Sequence, residues 1–305
     1  MRLAMVGQGK MGLNMTRRLL RGGHEVVALD RSRAAVEAAA REGAIPAFSL
    51  SEAVSRLSPP RIVWLMVPAG PPVDENVDRL GSTLSGGDIV VDGGNSLFKE
   101  APRRAERLGG NGIRFLDAGT SGGIWGLAEG YCLMVGGDEE AYRIVSPILD
   151  TLAPPEGHAY VGPHGAGHFV KMVHNGIEYG MMQSYAEGFD LLSAAPYDLD
   201  LRRIASLWNR GSVVRSWLLE LAERALEKDP GLSSLSPYVE DSGEGRWTVE
   251  QSIAAGVPLP TIALSLYMRF LSRQENSFAM RMLAALRNEF GGHAVKTAPP
   301  DGSQE

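Results

Sequence analysis

The sequence predicts an α/β domain with a doubly wound, mainly parallel sheet, followed by an all-α domain. Two observations carry this prediction. Short apolar runs alternate with helical patterns up to about residue 162, and from there to about residue 290 only helical patterns follow. The 305 residues are enough for two domains with separate cores.

The predicted strands are short runs of β-branched or bulky residues, bounded by Gly, Pro or Asp. They are Leu3–Val6, Val26–Leu29, Ile62–Val67, Ile89–Val91, Phe115–Leu116 and Cys132–Val135. The helical stretches between them, such as Met11–Arg21, provide the crossovers that parallel pairing needs. We therefore assign residues 1–162 to the α/β domain.

Long helical patterns make up most of the remaining chain. They cover His168–Ala194, Leu199–Trp208, Val213–Leu226, Thr248–Ala255, Pro260–Leu271 and Phe278–Phe290. We assign residues 163–293 to a helical domain for substrate binding and dimerisation. Residues 294–305 are polar and contain Pro and Gly, which predicts a flexible tail.

The composition excludes several classes of partner. A net charge of −6 gives no reason to expect nucleic acid or an anionic membrane as a partner. No segment approaches the ~20 apolar residues that span a bilayer, and the N-terminal apolar run is too short for a signal peptide. The single cysteine, Cys132, cannot form an intrachain disulfide, which suits the cytoplasm, and we expect its side chain to be buried.

A glycine motif, GQGKMG, spans residues 7–12, directly after the first predicted strand and at the start of a helical pattern. Asp30 ends the second strand, 18 residues past Gly12. This arrangement is the Rossmann-type dinucleotide-binding fingerprint, in which the helix N-terminus faces the phosphates. We assign to cofactor binding Gly7, Gln8, Gly9, Lys10, Met11, Gly12, Asp30, Arg31, Val67 and Asn95.

Two residues bear on the choice between NAD and NADP. Asp30 would accept hydrogen bonds from the ribose diol of NAD and would repel the 2′-phosphate of NADP. Arg31 could instead pair with that phosphate. NAD is the preferred cofactor on this evidence, and NADP stays open.

Two glycine-containing segments, VDGGNS (91–96) and DAGTSGG (117–123), follow predicted strands. Ligands of open parallel sheets bind beyond the carboxyl ends of the strands. Asn95 and Ser121 could therefore contact a ligand, and Gly122 and Gly123 could offer bare backbone N–H groups. Strand-exit turns use the same residue types, so a purely structural role stays open.

A polar stripe runs along the predicted helix in GHFVKMVHNGIEYG (167–180). Lys171, His174, Asn175 and Glu178 fall at helical spacing among apolar neighbours. A solvated face fits this pattern poorly. A lysine amine, unlike a guanidinium, can be desolvated until it titrates near neutral pH, so Lys171 is a candidate general base.

These motifs, together with GRWT and FGGH nearer the C-terminus, resemble the decarboxylating 6-phosphogluconate dehydrogenases of the β-hydroxyacid dehydrogenase superfamily. The resemblance runs from the glycine motif to about His293, and the length is similar to the short form of these enzymes. It implies oxidation of 6-phosphogluconate to ribulose 5-phosphate and CO2, as in the pentose phosphate pathway and gluconate utilisation.

The resemblance also implies residue roles. Lys171 would be the general base and Glu178 the acid that protonates C1 of the enediol, with His174 and Asn175 holding the substrate. Further substrate contacts would come from Asn95, Ser121, Gly122, Gly123, Tyr179, Arg269, Arg287 and His293. In the longer enzymes the counterparts of the last two enter from the neighbouring subunit, which implies a homo-oligomer. Ser242 stands where those enzymes carry a lysine, so one phosphate contact is missing.

Two alternatives remain. One is a non-decarboxylating dehydrogenase of small 3-hydroxy acids, which would not need Glu178 in this role. The other is a cofactor-binding regulatory or structural protein with the same fold. We expect no metal, because no Cys/His cluster has zinc spacing. We expect His158, His164 and His168 to be turn or surface histidines.

Overall fold

The computed structural model describes residues 1–292 and 294–296. The chain forms two compact units, the first comprising Met1–Ile177 and the second beginning at Glu178. The boundary falls inside one long helix, α8 (Ala166–Ser193).

The first unit contains an eight-stranded sheet and the helices that connect its strands. The strands are β1 (Arg2–Val6), β2 (Glu25–Leu29), β3 (Ile45–Ala47), β4 (Ile62–Leu65), β5 (Ile89–Asp92), β6 (Arg114–Ser121), β7 (Cys132–Gly137) and β8 (His158–Gly162). The helices before α8 are α1 (Lys10–Arg21), α2 (Arg33–Arg41), α3 (Leu50–Ser55), α4 (Pro71–Gly81), α5 (Glu100–Gly109), α6 (Gly126–Glu129) and α7 (Glu139–Leu152).

The strand order is β3-β2-β1-β4-β5-β6-β7-β8, and only the β6–β7 pair is antiparallel among the residues described. Alternate side chains of the central strands bury into opposite layers, as Leu3 and Met5 do on one face and Ala4 and Val6 on the other. Burial on both faces explains why these strands are continuously apolar in sequence. The carboxyl ends of β1, β2, β4 and β5 meet along one edge, where the glycine motif also lies.

The structure differs from several sequence-based predictions about the strands and about Cys132. Strands β3 and β8 were not predicted, because β3 has three residues including Pro46 and β8 is only half-buried. The strand predicted at Ile62–Val67 ends at Leu65. Cys132 is exposed rather than buried, since the alternation of β7 places Leu133 and Val135 in the core and turns the thiol to the opposite face.

The second unit contains helices joined by turns and loops, and its described residues include no strand. It contains the end of α8 followed by α9 (Leu201–Trp208), α10 (Trp217–Lys228), α11 (Glu244–Ala255), α12 (Pro260–Leu271) and α13 (Phe278–Gly291). Its small core joins α9 and α10 through Ala205, Leu219 and Leu226. The predicted α/β domain followed by an all-α domain is confirmed. Within the described part of the chain, no helix has the length and apolar character to cross a membrane.

Candidate active site

The glycine motif forms a tight turn between β1 and α1. Gly7 has φ +98°, and a Cβ there would lie 2.8 Å from the carbonyl carbon of Met66. A Cβ on Gly12 would collide with the carbonyl of Gly7, so this glycine lets helix and turn pack together. Gly9 faces open space and caps α1 without a side-chain hydrogen bond, leaving the first N–H groups of the helix for a ligand.

A cavity of about 650 Å³ lies over this turn. All the residues assigned to cofactor binding line it except Gln8: Gly7, Gly9, Lys10, Met11, Gly12, Asp30, Arg31, Val67 and Asn95. The sequence did not point to other lining residues, including Phe48, Glu75, Asn76 and Arg79. They come from separate loops and from α4, so only the folded chain brings them together.

Gln8 turns away from the cavity. Its buried amide donates to the carbonyl of Met5 (2.9 Å) and accepts from the hydroxyl of Thr16 (3.0 Å). Its backbone N–H donates to Oδ2 of Asp30 (2.6 Å), and the N–H of Ser32 donates to Oδ1 (2.7 Å). The Asp30 carboxylate is therefore fixed by backbone donors at the cavity edge, with lone pairs remaining for a ligand.

Asn95, which lines this cavity, also contacts Lys171. Asn95 follows β5 in the Gly93-Gly94 turn, and its Oδ1 accepts a hydrogen bond from Nζ of Lys171. The Lys171 side chain is 8% exposed. Gly119 of β6 makes room for it, because a Cβ there would lie 3.1 Å from Cγ of Lys171 and 2.6 Å from the carbonyl of Gly167.

Ser121 and two residues of α8 extend this group. The Ser121 hydroxyl lies 3.4 Å from Nε2 of His174, and Nδ1 of His174 lies 3.1 Å from Oδ1 of Asn175. Gly122 and Gly123, with φ +121° and +52°, turn the chain immediately after Ser121. Five predicted residues thus converge in the first unit: Asn95, Ser121, Lys171, His174 and Asn175.

The prediction for His168 is wrong. This histidine is buried, and its Nε2 lies 3.4 Å from Oδ2 of Asp92, which also accepts from Arg104 (3.1 Å). Burial alone would lower the pKa of His168, but the neighbouring Asp92 and Asp117 outweigh it and raise the pKa. Burial likewise works to raise the pKa of Asp92, yet His168 and Arg104 hold it below its usual value.

The second unit holds the remaining predicted residues that the structure describes. Glu178 is half-buried on α8, and the hydroxyl of the buried Tyr179 accepts the backbone N–H of Ser242 (3.0 Å). The guanidinium of Arg269 stacks 3.6 Å from the centre of the Tyr179 ring and donates to the carbonyl of Glu240 (2.8 Å).

Of the last two predicted substrate-binding residues, the structure describes only one. Arg287 is exposed on α13, whereas His293 lies outside the described residues. Among the residues that the structure does describe, no group of three His, Cys, Asp or Glu could hold a metal ion.

Family models match both parts of the chain. Residues 2–162 match the NAD binding domain of 6-phosphogluconate dehydrogenase, and residues 167–290 match its C-terminal domain. The chain belongs to the 6-phosphogluconate dehydrogenase family. The family named from sequence motifs is therefore confirmed, as is its class, an oxidoreductase that binds a nicotinamide dinucleotide.

Several members of the 6-phosphogluconate dehydrogenase family are similar to this chain over most of its length. The NAD(+)-dependent, decarboxylating enzyme of Haloferax volcanii is 48% identical, with 97% of this chain and 98% of that protein covered. A Bacillus subtilis relative is 46% identical, with 97% and 99% covered. The Plasmodium falciparum enzyme superposes with a TM-score of 0.84 at 28% identity, covering 99% of this chain and 67% of that longer one.

Proposed function

We propose that this chain oxidises and decarboxylates 6-phospho-D-gluconate to D-ribulose 5-phosphate and CO2, with NAD as the preferred oxidant. The observation that carries the proposal is the contact between Lys171 and Asn95. Asn95 lines the cavity over the glycine turn and also accepts a hydrogen bond from the buried amine. A group suited to proton transfer therefore lies at the edge of the cavity that fits a dinucleotide.

The cavity residues fit a dinucleotide in two respects. Gly9 leaves open space in front of the N-terminus of α1, which suits a pyrophosphate, and Asp30 presents a fixed carboxylate, which suits a ribose diol. The bound nicotinamide supplies the hydride acceptor. The other steps fall to side chains of this chain.

Lys171 is proposed to carry protons through the first half of the reaction. As a neutral amine it accepts the proton of the substrate 3-hydroxyl while hydride leaves C3. The resulting β-keto acid loses CO2, and the protonated Lys171 stabilises the negative charge that develops on the ketone oxygen. The amine then returns its proton to that oxygen, which gives an enediol and restores Lys171.

Glu178 is proposed to complete the reaction by protonating C1 of the enediol, while Lys171 takes back the proton of the neighbouring enediol hydroxyl so that the ketone forms. It lies seven residues after Lys171 on the continuous helix α8, about 10 Å along the helix axis. Two turns of helix bring the side chains back to nearly the same face.

The remaining substrate contacts are part of the same proposal. His174, Asn175, Ser121, Gly122 and Gly123 would hold the hydroxyl and carboxylate groups. Tyr179 and Arg269, already stacked on one another, would bind the phosphate. Ser242 contributes a hydroxyl next to Tyr179 where a lysine stands in the longer enzymes, so the phosphate meets one cation fewer.

We also propose a cytoplasmic homo-oligomer. The second unit exposes many large apolar side chains, and α13 has no buried residue, with Phe278 66% and Phe290 94% exposed. A second copy of the chain would cover this face. Arg287 and His293 would then reach the neighbouring active site. The division into residues 1–162 and 163–293 is supported by the two family models, which meet between residues 162 and 167.

The first experiment measures NAD and NADP reduction with 6-phosphogluconate while CO2 release is monitored. One CO2 per reduced cofactor, with the higher kcat/KM for NAD, is the expected result. Activity on a small 3-hydroxy acid without CO2, and none on 6-phosphogluconate, would instead favour a non-decarboxylating dehydrogenase. Cofactor binding without any turnover would favour a regulatory protein.

A mixing experiment tests the oligomer and the shared site. Chains carrying Lys171→Ala and Arg287→Ala are each expected to be inactive alone. After verified subunit exchange, some mixed oligomers would combine an intact Lys171 with an intact Arg287 and recover activity. No recovery after exchange would contradict the shared site, and a monomer in sedimentation would contradict the oligomer.

A further inference from the structure

Two buried carboxylates that the proposed reaction does not use hold the start of helix α8. Asp117, in the middle of β6, accepts the backbone N–H groups of Gly165 (2.7 Å) and His168 (2.9 Å). Asp92, the last residue of β5, lies 3.4 Å from the His168 ring nitrogen Nε2. Asp92 and Asp117 have no exposed surface, and His168 is 2% exposed. The first turn of α8 is therefore tied to two neighbouring strands.

Asp92 also holds the turn that carries Asn95. Its Oδ1 accepts the backbone N–H of Gly94 (3.1 Å), the residue directly before Asn95. Its Oδ2 accepts from Nη1 of Arg104 (3.1 Å), and Nε of Arg104 donates in turn to Asp74 (3.0 Å). The carboxylate of Asp92 is thus fixed by groups from the turn, from α5 and from α8.

His168 connects this carboxylate to the proposed base. His168 and Lys171 are three residues apart and share one face of α8. The path from Asn95 to Lys171 therefore passes through Gly94 and then through the buried residues Asp92 and His168. Asn95 and Lys171 lie on separate elements, so their side chains meet only if the turn and the helix hold a fixed position relative to each other.

The link between Asp92 and His168 is electrostatic. At 3.4 Å the two groups lie at ion-pair distance without the alignment of a hydrogen bond, and Nε2 has no other partner among the described atoms. The charged groups facing His168 are Asp92, Asp117 and Arg104. Attraction between charges is strong at such a dry site, and a charge left there without its partner is costly.

We propose that Asp92 and His168 are positioning residues whose buried pair sets the position of the Asn95 turn relative to Lys171. The pair acts through these two residues and does not itself touch substrate. This inference rests on the proposed function, in which Lys171 transfers protons at a defined place beside the cavity.

The substitution His168→Gln tests the proposal, and His158→Gln is the matched control. His158 forms another His–Asp contact among the described residues, with Nε2 2.9 Å from Oδ1 of Asp150, and lies on β8 rather than on α8. We expect His168→Gln to lower kcat about 30-fold, since a shift of about 1 Å in a reacting group has effects of this order. The loss of NAD affinity should be much smaller than the loss of kcat, because Asn95 is one of many residues that line the cavity and the glycine turn at residues 7–12 keeps its contacts, and His158→Gln should change neither quantity.

Lysine labelling gives a second readout that does not depend on turnover. The chain has five lysines, so brief acetylation followed by mass spectrometry compares Lys171 with four internal references. We expect labelling of Lys171 to rise several-fold in His168→Gln and to stay unchanged in His158→Gln. Unchanged labelling and unchanged kcat in the folded variant would overturn the proposal, as would a loss of kcat that comes with an equal loss of NAD affinity.

The two readouts separate the two proposals. If wild-type protein does not turn over 6-phosphogluconate, the proposed function fails, while labelling still reports whether the pair holds Lys171. His168→Asn is the second variant if His168→Gln does not fold. If neither folds, the protection factor of the Gly94 amide in wild-type protein is followed by hydrogen exchange from about pH 6 to 9. It should fall as His168 loses its proton, and a constant value would overturn the proposal.

Discussion

The amine of Lys171 donates a hydrogen bond to the side-chain carbonyl of Asn95, although the two residues are 76 positions apart in the sequence. Asn95 ends a turn after β5, and Lys171 lies in the second turn of α8. This contact joins the proposed proton-transfer group to the cavity that fits a dinucleotide.

Replacing the amine should remove catalysis and leave cofactor binding intact. Lys171→Met keeps most of the side-chain volume and removes the proton acceptor. We expect kcat to fall by about 10³, within the range for loss of a general base. NAD affinity, measured by fluorescence titration, should change little. Lys228→Met on α10 is the control, and an equal loss of kcat in both variants would contradict the assignment.

A methyl group at Gly119 should disturb Lys171 from the opposite side. The added Cβ would lie 2.6 Å from the carbonyl of Gly167, so helix or strand must move. We expect Gly119→Ala to lower kcat about tenfold or more and to destabilise the fold by about 1–3 kcal/mol. Gly109→Ala, where a Cβ meets no atom within 4 Å, is the control for kinetics and thermal unfolding. Wild-type kcat in Gly119→Ala would show that Lys171 tolerates displacement.

Asp30 should determine the preference for NAD. Its carboxylate would repel a 2′-phosphate, and Arg31 beside it would attract one. We expect Asp30→Ala to raise the KM for NAD about tenfold, the effect of losing hydrogen bonds to a charged group, and to improve kcat/KM for NADP. Because Gln8 and Ser32 lose their acceptor, Tm should also fall. An unchanged ratio of NAD to NADP efficiency would rule out this role.

Restoring a lysine at Ser242 should strengthen phosphate binding. Ser242 adjoins Tyr179 and, in the proposed function, the phosphate of the substrate. We expect Ser242→Lys to lower the KM for 6-phosphogluconate about three- to tenfold at low ionic strength, with the gain shrinking as salt is added. Ser236→Lys, at an exposed position, controls for the added charge. A KM gain that salt does not reduce would indicate a different cause.

The buried pair of His168 and Asp92 should make stability depend on pH. The folded pKa of His168 is raised, so its contribution is complete below about 6.5 and is lost as pH rises through the folded value. The folded pKa of Asp92 is lowered, so its contribution is present above about 3.8 and is lost as pH falls through the folded value. The pair therefore contributes most between these two reference values.

Comparison of wild-type protein with His168→Gln measures this contribution. At about pH 6 we expect the free energy of unfolding of the variant to be about 3 kcal/mol lower than that of the wild-type protein, as for removal of one partner of a buried ion pair. The difference should shrink as the pH rises above about 6.5 and through the folded pKa of His168. A difference that stays constant as the pH rises would show that the charge of His168 contributes nothing.

The elements that the sequence predicted well are those with strong local signals. The glycine motif, with Asp30 closing β2, identified the dinucleotide fold because tight turns and close backbone approach require glycine at fixed spacing. The polar stripe on α8 identified Lys171, His174 and Asn175 as neighbours because helical periodicity is a local property. Strands β3 and β8 were not found because they are short or only half-buried, and their pairing is non-local.

His168 shows how local evidence fails. Four histidines lie between residues 158 and 174, and nothing in their immediate sequence distinguishes the buried one. The acidic residue ending β5 was a usable signal, since Asp92 closes an otherwise apolar strand and a buried carboxylate requires a partner. Identifying that partner needed the fold, which brings α5, β5, β6 and the start of α8 to the same place.

The sequence by itself determined the order of the two domains, the family, the glycine turn and the polar face of α8, because each of these features depends on residues that are close together in the sequence. Only the tertiary structure decided that Lys171 meets Asn95, that Gln8 faces inward and that His168 lies between Asp92 and Asp117. These contacts join residues that are distant in the chain, and their geometry depends on how the strands are ordered and how closely Gly119 lets α8 approach the sheet.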